Sequence, residues 1–444
     1  MSNTNSCQMK KSKYNFIIPH TNDKFFLFNA ASFHFFSMKN EQLEFLNRVL
    51  EDPDKHKSIV PTFYSNLIGG NFIVDESENE EEYIKRKNKE SVESKHYKLI
   101  ILPTFECNFS CWYCVQKHEK SRMSDIIIEK VKEHIRYMIE RKHIHSLNIE
   151  WFGGEPFVYF DEIVYPISKY AKALCNDSGI PFYCCATTNG YLMPEETIQK
   201  MKEIELNALQ ITLDGSKEFH DKIRFSSDQN SSFEKILHNI NRICDENENA
   251  QIIIRINYDD KNFEPHIIIE QIKNIIPERN RHSLQFRIRK VWQVKRSPGF
   301  REKIIIFNEL ARNNGFRIEN SDIFTNFISC YVCKKYYNTI GPNGGIYKCT
   351  ARENYLGNSW GILQKKGSIK WKVPGFEKKY FNKPLFENSK CEKCKYLPLC
   401  MGPCPYSFEE SGLTNTSFKC NKLRTLDLKF EDSILEYCLN HNEL

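Results

Sequence analysis

The chain has 444 residues, of which 63 are basic and 57 acidic, so its net charge is only +6. This length predicts about two or three domains. The small charge excess does not indicate a nucleic-acid-binding protein, because neither sign is concentrated in one half. A hydrophobic fraction of 40%, with 18 Gly and 17 Pro, excludes a disordered, collagen-like or low-complexity chain.

The cysteine content, 17 residues, is the most unusual part of the composition. Cysteines at this density are too sparse for a small disulfide scaffold, and the N-terminal sequence lacks the apolar core of a signal peptide. No apolar stretch approaches the length of a membrane span. We therefore expect a cytoplasmic protein without a membrane partner, in which grouped cysteines bind metal or take part in chemistry.

Residues 1–95 are expected to form a small α+β domain. The apolar runs YNFII and FFLF flank the polar turn HTNDK, which predicts a hairpin. Leu43, Leu46 and Leu50 share one face of a following helix, for which Asn40 is the expected cap. The segment DESENEEEYIKRKNKE, acidic and then basic, predicts a solvated helical linker at the domain boundary.

Residues 96–292 alternate between strand and amphipathic helix patterns. Strands are predicted over six segments, 98–104, 147–152, 181–188, 209–214, 251–257 and 284–289. A helix is predicted over 124–141, where apolar residues recur at helical spacing. Six such repeats predict an α/β fold with a parallel sheet, open or curled into a partial barrel. A connecting segment, 293–328, and a cysteine-rich region, 329–444, follow.

Residues suited to chemistry follow these strands at their carboxyl ends, where parallel sheets place their sites. They are Cys107, Cys111 and Cys114 after the first strand, Gly153, Gly154, Glu155 and Pro156 after the second, Thr188, Asn189 and Gly190 after the third, Thr212 and Asp214 after the fourth, and Arg255 and Asn257 after the fifth. Together they predict one site.

Three thiols on one short loop, from Cys107, Cys111 and Cys114, suit zinc or an iron-sulfur cluster. No fourth cysteine or histidine stands immediately beside them. One coordination position is therefore expected to stay open, as it does in catalytic rather than structural metal sites. The remaining isolated cysteines are expected to be small core side chains: Cys7, Cys175, Cys184, Cys185, Cys244 and Cys438.

The loop spacing, with Tyr113 directly before the last cysteine, resembles the cluster loop of the radical SAM superfamily. In that family three cysteines hold a 4Fe-4S cluster, and S-adenosylmethionine (SAM) chelates the fourth iron. The GGEP segment resembles the one that receives the SAM amino group, and Thr212 and Asp214 match the strand that contacts its ribose and carboxylate. The resemblance implies SAM contacts at Tyr113, Gly153, Gly154, Glu155, Pro156, Asn189, Thr212, Asp214, Arg224 and Asn257.

Eight cysteines between residues 330 and 420 suit two four-ligand sites. Their pattern resembles the SPASM domain, a C-terminal extension of radical SAM peptide-modifying enzymes that carries two auxiliary 4Fe-4S clusters. The resemblance assigns the first auxiliary cluster to Cys330, Cys333, Cys349 and Cys404. It assigns the second to Cys391, Cys394, Cys400 and Cys420. The family pattern requires only one cysteine of the Cys330/Cys333 pair, and a missing ligand would leave an iron open to a substrate thiolate.

The resemblance implies a partial (β/α)6 barrel of radical SAM type, with a small N-terminal α+β domain and a C-terminal two-cluster domain. The N-terminal order of hairpin and helices is similar to winged-helix peptide-recognition elements of such enzymes. The implied activity is one-electron cleavage of SAM to a 5'-deoxyadenosyl radical, which takes hydrogen from a peptide or protein. The products would be thioether or carbon-carbon crosslinks in a ribosomal peptide, and a flavodoxin or ferredoxin would be the reductant.

The catalytic residues stay open, with Asp214 and Arg224 as candidates. Arg224 and Arg255 could each grip a carboxylate of SAM or of a peptide, or form surface ion pairs. The segment from Asp214 to Arg224 also resembles the anaerobic sulfatase-maturating enzymes, which oxidise Cys or Ser to formylglycine. Those enzymes have an aspartate base where this chain has Thr350, after the cysteine that corresponds to Cys349. Formylglycine formation is therefore the second hypothesis.

Two other classes of protein fit the cysteine pattern less well. One is a zinc-structured binding module, which the three-ligand loop and the modest charge disfavour. The other is a non-catalytic relative that serves as a peptide-binding scaffold. All three loop cysteines are present, and the loss of one would be the expected mark of such a relative.

Overall fold

A computed structural model describes residues 8–225, 231–259, 261–294, 299–320, 323–324, 326–351, 359–372, 384–405, 420 and 428–442. The chain divides into two compact units. The first consists of Met1–Glu93, Asn320–Cys333 and Phe381–Leu444, and the second of Ser94–Glu319 and Lys334–Tyr380. Among the described residues, no helix combines the length and the apolar character needed to cross a bilayer.

The first unit begins with five strands and four helices. The strands are β1 (Met9–Lys11), β2 (Asn15–Pro19), β3 (Lys24–Asn29), β4 (Phe35–Lys39) and β5 (Ile73–Asp75). The helices are α1 (Leu43–Glu51), α2 (Pro53–His56), α3 (Pro61–Gly69) and α4 (Glu80–Glu93). Strands β2, β3 and β4 form an antiparallel sheet, and β1 pairs with β5. The predicted hairpin is confirmed, as is the helical state of the charged segment, which forms α4.

The predicted cap of α1 is wrong. Asn40 lies inside a 3-10 turn, Asn40–Gln42, that leads into the helix, and its side-chain amide donates to the carbonyl of Asn22. The Gln42 side chain instead accepts from the backbone N–H of Lys39. The chain is therefore already helical at Asn40, one turn before Leu43, the first residue of the apolar pattern.

The second unit contains eleven strands and eight helices among its described residues. The strands are β6 (His96–Ile101), β7 (Ser146–Trp151), β8 (Phe182–Thr188), β9 (Leu206–Leu213), β10 (Gln251–Tyr258), β11 (Leu284–Lys290), β12 (Arg317–Ile318), β13 (Tyr337–Ile340), β14 (Gly345–Tyr347), β15 (Gly361–Leu363) and β16 (Ile369–Trp371). The helices are α5 (Asp125–Glu140), α6 (Tyr165–Asp177), α7 (Glu195–Glu203), α8 (Lys217–Ile223), α9 (Ser232–Glu246), α10 (Pro265–Ile275), α11 (Glu278–Arg281) and α12 (Phe300–Asn313).

These strands form one mixed sheet in the order β12-β11-β10-β9-β8-β7-β6-β13-β14-β15-β16. Strands β6 to β12 are parallel neighbours in chain order, β13 adds to β6 in parallel, and β14 to β16 continue as antiparallel hairpins. The predicted α/β class is confirmed, and the six predicted strands correspond to β6 to β11. The other strands have two to four residues, too few for a periodic pattern to appear.

Side chains along the parallel strands alternate between two faces of the sheet, because successive residues of a strand point in opposite directions. Leu99, Ile149, Cys184, Ile211 and Ile254 belong to the buried apolar set. The opposite set, which we call the polar face, consists of Lys98, Asn148, Glu150, Cys185, Thr187, Gln210, Thr212, Arg255, Asn257, Arg287 and Arg289. A sheet that buries charges in this way requires that they be paired.

Among its described residues, the first unit has three further α-helices: α13 (Ser389–Glu392), α14 (Leu397–Cys400) and α15 (Phe430–His441). Tyr14 and Phe28, from the start of the chain, share one apolar core with Leu397, Ile434 and Cys438 from its end. The two ends of the chain therefore build one core.

The isolated cysteines are mostly core residues, as predicted. Cys175, Cys184, Cys244 and Cys438 are buried, and Cys185 is half-buried. Cys7 lies outside the described residues. No disulfide links the cysteines of the part of the chain that the structure describes.

A buried histidine fastens the turn between β15 and β16 to helix α5. His134 donates from Nδ1 to the carbonyl of Gly367 over 2.6 Å, and its Nε2 accepts from the Tyr97 hydroxyl at 2.7 Å. The Asn338 amide donates to that same hydroxyl. Both imidazole nitrogens are used in the neutral form, and burial lowers the pKa of His134 to about 4.

This lowered pKa predicts acid sensitivity. Because the unfolded chain binds a proton to His134 near pH 6.5 and the folded chain does so near 4, stability is lost as the pH falls through this window. From pH 7 to pH 5 the free energy of unfolding should fall by about 2 kcal/mol through this group. Urea unfolding of His134→Gln should show a correspondingly weaker pH dependence. The same change at exposed His266 is the control and should leave the pH dependence unaltered.

Candidate functional site

The three clustered cysteines lie on the loop between β6 and α5. Cys107 and Cys111 are half-buried and Cys114 is exposed. The backbone turns tightly here, because the N–H of Cys114 donates to the carbonyl of Cys111 at 3.0 Å. Burial raises the pKa of the Cys107 thiol to about 12 and also raises that of Cys111, and each of these thiols is affected by the next one along the loop. The thiols are therefore near neighbours.

The described residues contain no group of three His, Cys, Asp or Glu side chains arranged to hold a single metal ion. A four-iron cluster places different demands on its ligands, because each cysteine binds a different iron.

A histidine accompanies this loop, contrary to the prediction from the sequence. His118 Nε2 lies 3.4 Å from Cys114 Sγ. The expectation that no histidine stands beside the three cysteines is therefore wrong. The sequence signal was the four-residue separation, which a single turn of the loop bridges.

The two glycines after β7 allow the backbone to approach the cysteine loop closely. A Cβ on Gly154 would lie 2.0 Å from the carbonyl oxygen of Glu106, and one on Gly153 would lie 2.6 Å from that of Thr104. Instead, the N–H of Gly154 donates to Thr104 and the N–H of Glu155 donates to Glu106. This pairing fixes the chain immediately before Cys107.

The carboxylate of Glu155 is 1% exposed and is used inside the protein. Its oxygens accept from the Thr188 hydroxyl at 2.7 Å, from the backbone N–H of Asn189 at 2.7 Å and from that of Phe157 at 3.0 Å. Burial raises the pKa of Glu155 to about 6, and these three donors oppose the shift. Glu155 thus joins the end of β8 to the segment after β7, where Pro156 begins a 3-10 turn.

Asn189 links this arrangement to the cysteine loop. Its side-chain amide donates to the side-chain oxygen of Asn108 at 2.7 Å and lies 4.0 Å from the Cys107 thiol. The ends of β7 and β8 therefore both contact the loop.

The aromatic residue of the cysteine loop is held by the ends of β9 and β10. The Tyr113 hydroxyl lies 2.6 and 2.7 Å from the two carboxylate oxygens of Asp214, to which it donates. It accepts from the Arg224 guanidinium at 2.6 Å and from the Asn257 amide at 3.1 Å. Asp214 and Arg224 form an ion pair with side chains only 1% and 8% exposed. Three residues from three segments thus converge on one phenol oxygen.

Electrostatic surroundings keep these groups in defined protonation states. Burial, followed by the Asp214 carboxylate, raises the pKa of Tyr113 well above its usual value. The Asp214 carboxylate raises that of Arg224 against the opposing effect of burial. His220 is buried and its pKa lies well below the usual range, so its Nδ1 accepts from the backbone N–H of Asp214. Among the described residues, its Nε2 has no hydrogen-bond partner.

The remaining predicted contact, Thr212, lies on the polar face two residues before Asp214 and opposite Arg255 of β10. The side chain of Arg255 donates from Nε to the side-chain oxygen Oδ1 of Asn257 at 2.8 Å. Residues at the ends of β8, β9 and β10 therefore contact the cysteine loop, and that they form one binding site stays a prediction.

Four of the C-terminal cysteines are neighbours within the first unit. Burial, together with the thiols of Cys400, Cys394 and Cys420, raises the pKa of Cys391 to about 12. Cys391 and Cys394 are joined by a backbone hydrogen bond of 3.0 Å. The donor chemistry of this set suits an iron-sulfur cluster.

The other proposed set draws on both units. Cys330, Cys333 and Cys404 belong to the first unit and Cys349 to the second. The backbone N–H of Cys333 donates to the carbonyl of Cys330, and Cys349 Sγ accepts from the N–H of Ala351. That these four residues share a cluster stays a prediction.

Comparison with known families identifies one domain. The family model described as the radical SAM superfamily matches residues 101–267. The match begins at the last residue of β6 and ends within α10, so it covers the cysteine loop, the two glycines and the ends of β7 to β10. The resemblance predicted from the motifs is confirmed.

Individual proteins are similar over a longer stretch. A cysteine-type anaerobic sulfatase-maturating enzyme of Clostridium novyi is 22% identical over 381 residues, covering 77% of this chain and 96% of its own length. A serine-type anaerobic sulfatase-maturating enzyme of Bacteroides thetaiotaomicron is 28% identical over 147 residues, which cover 30% of this chain and 33% of the enzyme. A solved structure, native anSMEcpe with bound AdoMet and Cp18Cys peptide, aligns with a TM-score of 0.52 and 18% identity over 78% of this chain and 96% of its own. The last similarity concerns the fold alone.

Because the backbone of Glu106 lies so close to Gly154, a single added methyl group should strongly destabilise the protein. In Gly154→Ala the new Cβ must displace the backbone at Glu106, which should lower the free energy of unfolding by at least about 2 kcal/mol. Amide hydrogen exchange over residues 104–114 should become faster. The control is Gly69→Ala, where a Cβ meets nothing within 4 Å. Unchanged exchange in the Gly154 variant would contradict this role.

Removal of the Tyr113 hydroxyl should also destabilise the protein. Tyr113→Phe removes the acceptor of Arg224 and Asn257 and a donor to Asp214, so the free energy of unfolding should fall by about 1–3 kcal/mol. Tyr183→Phe is the matched control because Tyr183 is 56% exposed. Urea unfolding of the two variants measures the difference. Equal stabilities would show that the network contributes nothing.

Proposed function

We propose that this chain, which carries a radical SAM domain at residues 101–267, cleaves SAM reductively and removes a hydrogen atom from a peptide or protein. The observation that carries the proposal is the connection of Tyr113, inside the cysteine loop, to Asp214, Arg224 and Asn257 at the ends of the next strands. A loop with three thiols is thereby joined to the polar side chains at the strand ends. The radical SAM domain implies SAM and a 4Fe-4S cluster.

The residues fit these two groups. Cys107, Cys111 and Cys114 would hold the cluster, and their three thiols leave one iron for SAM. When bound, the cluster and SAM supply one-electron reduction and hydrogen-atom abstraction. The protein binds and orients the cluster and SAM, which a rigid polar site is able to do.

Each polar residue has a defined part in that orientation. Asp214 and Arg224 offer a buried carboxylate and guanidinium whose charges balance, and polar groups of SAM would bond to the positions on these groups that their internal partners leave open. Asn257 and Thr212 extend the polar wall along β10 and β9. Glu155 is occupied by its three donors, and we assign it to holding Asn189 and the GGEP backbone in place.

A peptide or protein substrate is supported by the relatives. Two of them are named as sulfatase-maturating enzymes, and a protein of similar fold was crystallised with a Cp18Cys peptide. The eight C-terminal cysteines support two auxiliary clusters, with Cys391, Cys394, Cys400 and Cys420 forming the better supported set. We propose that the product is a thioether or carbon-carbon crosslink in a ribosomal peptide, and that a flavodoxin or ferredoxin supplies electrons.

Formylglycine formation is the second candidate, and the sulfatase-maturating relatives favour it. Against it stands Thr350 after Cys349, because a threonine hydroxyl is a much weaker base than a carboxylate. The two candidates differ in their product. Incubation with a peptide carrying a sulfatase-type Cys or Ser, followed by mass spectrometry for an aldehyde, distinguishes them.

The loop cysteines provide the main test. After anaerobic purification, the protein should absorb near 400 nm, contain on the order of a dozen irons per chain and release 5'-deoxyadenosine from SAM and a reductant. Replacement of Cys107, Cys111 and Cys114 by Ala should abolish SAM cleavage and leave roughly eight irons. Cys244→Ala, at a buried thiol outside all three sets, is the control and should retain both properties. Bound zinc in place of iron would refute the proposal.

A further inference from the structure

Three arginines stand close together on the polar face, next to the proposed SAM contacts. In the parallel register of β10 and β11, Arg255 lies directly opposite Arg287, and Asn257 lies opposite Arg289. Strand alternation places all four side chains on the same face. Arg255 is half-buried, so part of its side chain is accessible.

Three other buried or half-buried cations of this region have carboxylate partners. Arg287 forms an ion pair with Glu319 and donates to Gln210 as well. Arg224 pairs with Asp214, as described above. Lys98 pairs with Glu150 at 2.6 Å.

Arg255 is different, because its partner is a neutral amide. Its Nε donates to Asn257, and among the described residues it forms no ion pair with a carboxylate. Burial, Arg289 and Arg287 together lower the pKa of Arg255 to about 10. The surroundings of this guanidinium are therefore deficient in negative charge.

A guanidinium in such a place is suited to an external anion. Its planar donor set matches a carboxylate with two parallel hydrogen bonds, and a partly desolvated site strengthens such bonds. Because Arg255 is bonded to Asn257, which contacts Tyr113, an anion here would lie beside the groups proposed to hold SAM.

We propose that Arg255 binds a carboxylate of the substrate. The substrate peptide then presents an acidic side chain, or its own C-terminal carboxylate, to the polar face. This inference rests on the proposed function and specifies the substrate class. The surface ion pair considered from the sequence for Arg255 does not exist within the described residues.

The test uses three fluorescein-labelled pools of randomised heptapeptides and the anaerobic, SAM-loaded enzyme. The first pool has a central Glu and an amidated C-terminus, the second a central Gln and an amidated C-terminus, and the third a central Gln and a free C-terminal carboxylate. Fluorescence anisotropy should show about tenfold tighter binding of one carboxylate pool than of the amidated Gln pool. The pool that binds tighter distinguishes a side-chain from a terminal carboxylate.

The preference between pools is then measured in variants of Arg255. Arg255→Met should bind all three pools equally, and Arg255→Lys should keep a reduced preference because it retains the charge without the planar donor set. The matched control, Arg279→Met, removes an exposed arginine that pairs with Asp245 and should keep the wild-type preference. The preference is the ratio of the affinities of one variant for two pools. This ratio does not change when the variant loses affinity for all pools equally, or when part of the protein is unfolded.

Two results would overturn the inference. One is equal binding of the three pools by the wild-type enzyme, including binding of none. The other is an Arg255→Met variant that keeps the wild-type preference between pools while its affinity for SAM falls about tenfold. That result would show that the carboxylate bound by Arg255 belongs to SAM. The proposed function is judged separately, by 5'-deoxyadenosine formation in the wild-type enzyme without peptide.

Discussion

The candidate site depends on one buried ion pair, Asp214 with Arg224, and on the hydrogen bonds that this pair forms with the Tyr113 hydroxyl. A buried pair is costly unless its remaining hydrogen-bonding capacity is satisfied. Tyr113 satisfies part of it by donating to the carboxylate and accepting from the guanidinium. Because Tyr113 lies between Cys111 and Cys114, the electrostatics of the strand ends determine where the cysteine loop lies.

The opposite side of the loop is held by backbone rather than by charge. Gly153 and Gly154 have no Cβ, so the segment after β7 can pair with the carbonyls of Thr104 and Glu106. Glu155 then ties that segment to β8. The loop is thus held between a backbone ladder on one side and a charge network on the other, and neither alone contacts all three cysteines. This arrangement accounts for the wide separation in sequence of the residues that form one site.

Much of the fold could be predicted from the sequence, because long strands and helices carry their own periodicity. Strands β6 to β11 and helix α5 agree with their predicted bounds within a few residues. The pairing of β13 with β6 could not be predicted, since four residues hold no pattern and the partner is distant in the chain. The same limit applies to the site. Motif spacing identifies Cys107 and Glu155. The joining of Tyr113 to Asp214, and the lack of a carboxylate partner for Arg255 among the described residues, arise only when separate strands become neighbours.

The strand order also determines when the protein can complete its sheet during synthesis. Strand β6 ends at Ile101, but the strand that covers its outer edge, β13, begins at Tyr337. At about 5–20 residues per second, a ribosome needs on the order of 10–50 s to make the intervening chain. During that interval β6 presents unpaired N–H and C=O groups, and the apolar side of β2 and β3 lacks α15. A nascent chain of this protein therefore has an unpaired sheet edge until residues 337–340 are made, and an uncovered apolar face until residues 430–441 are made.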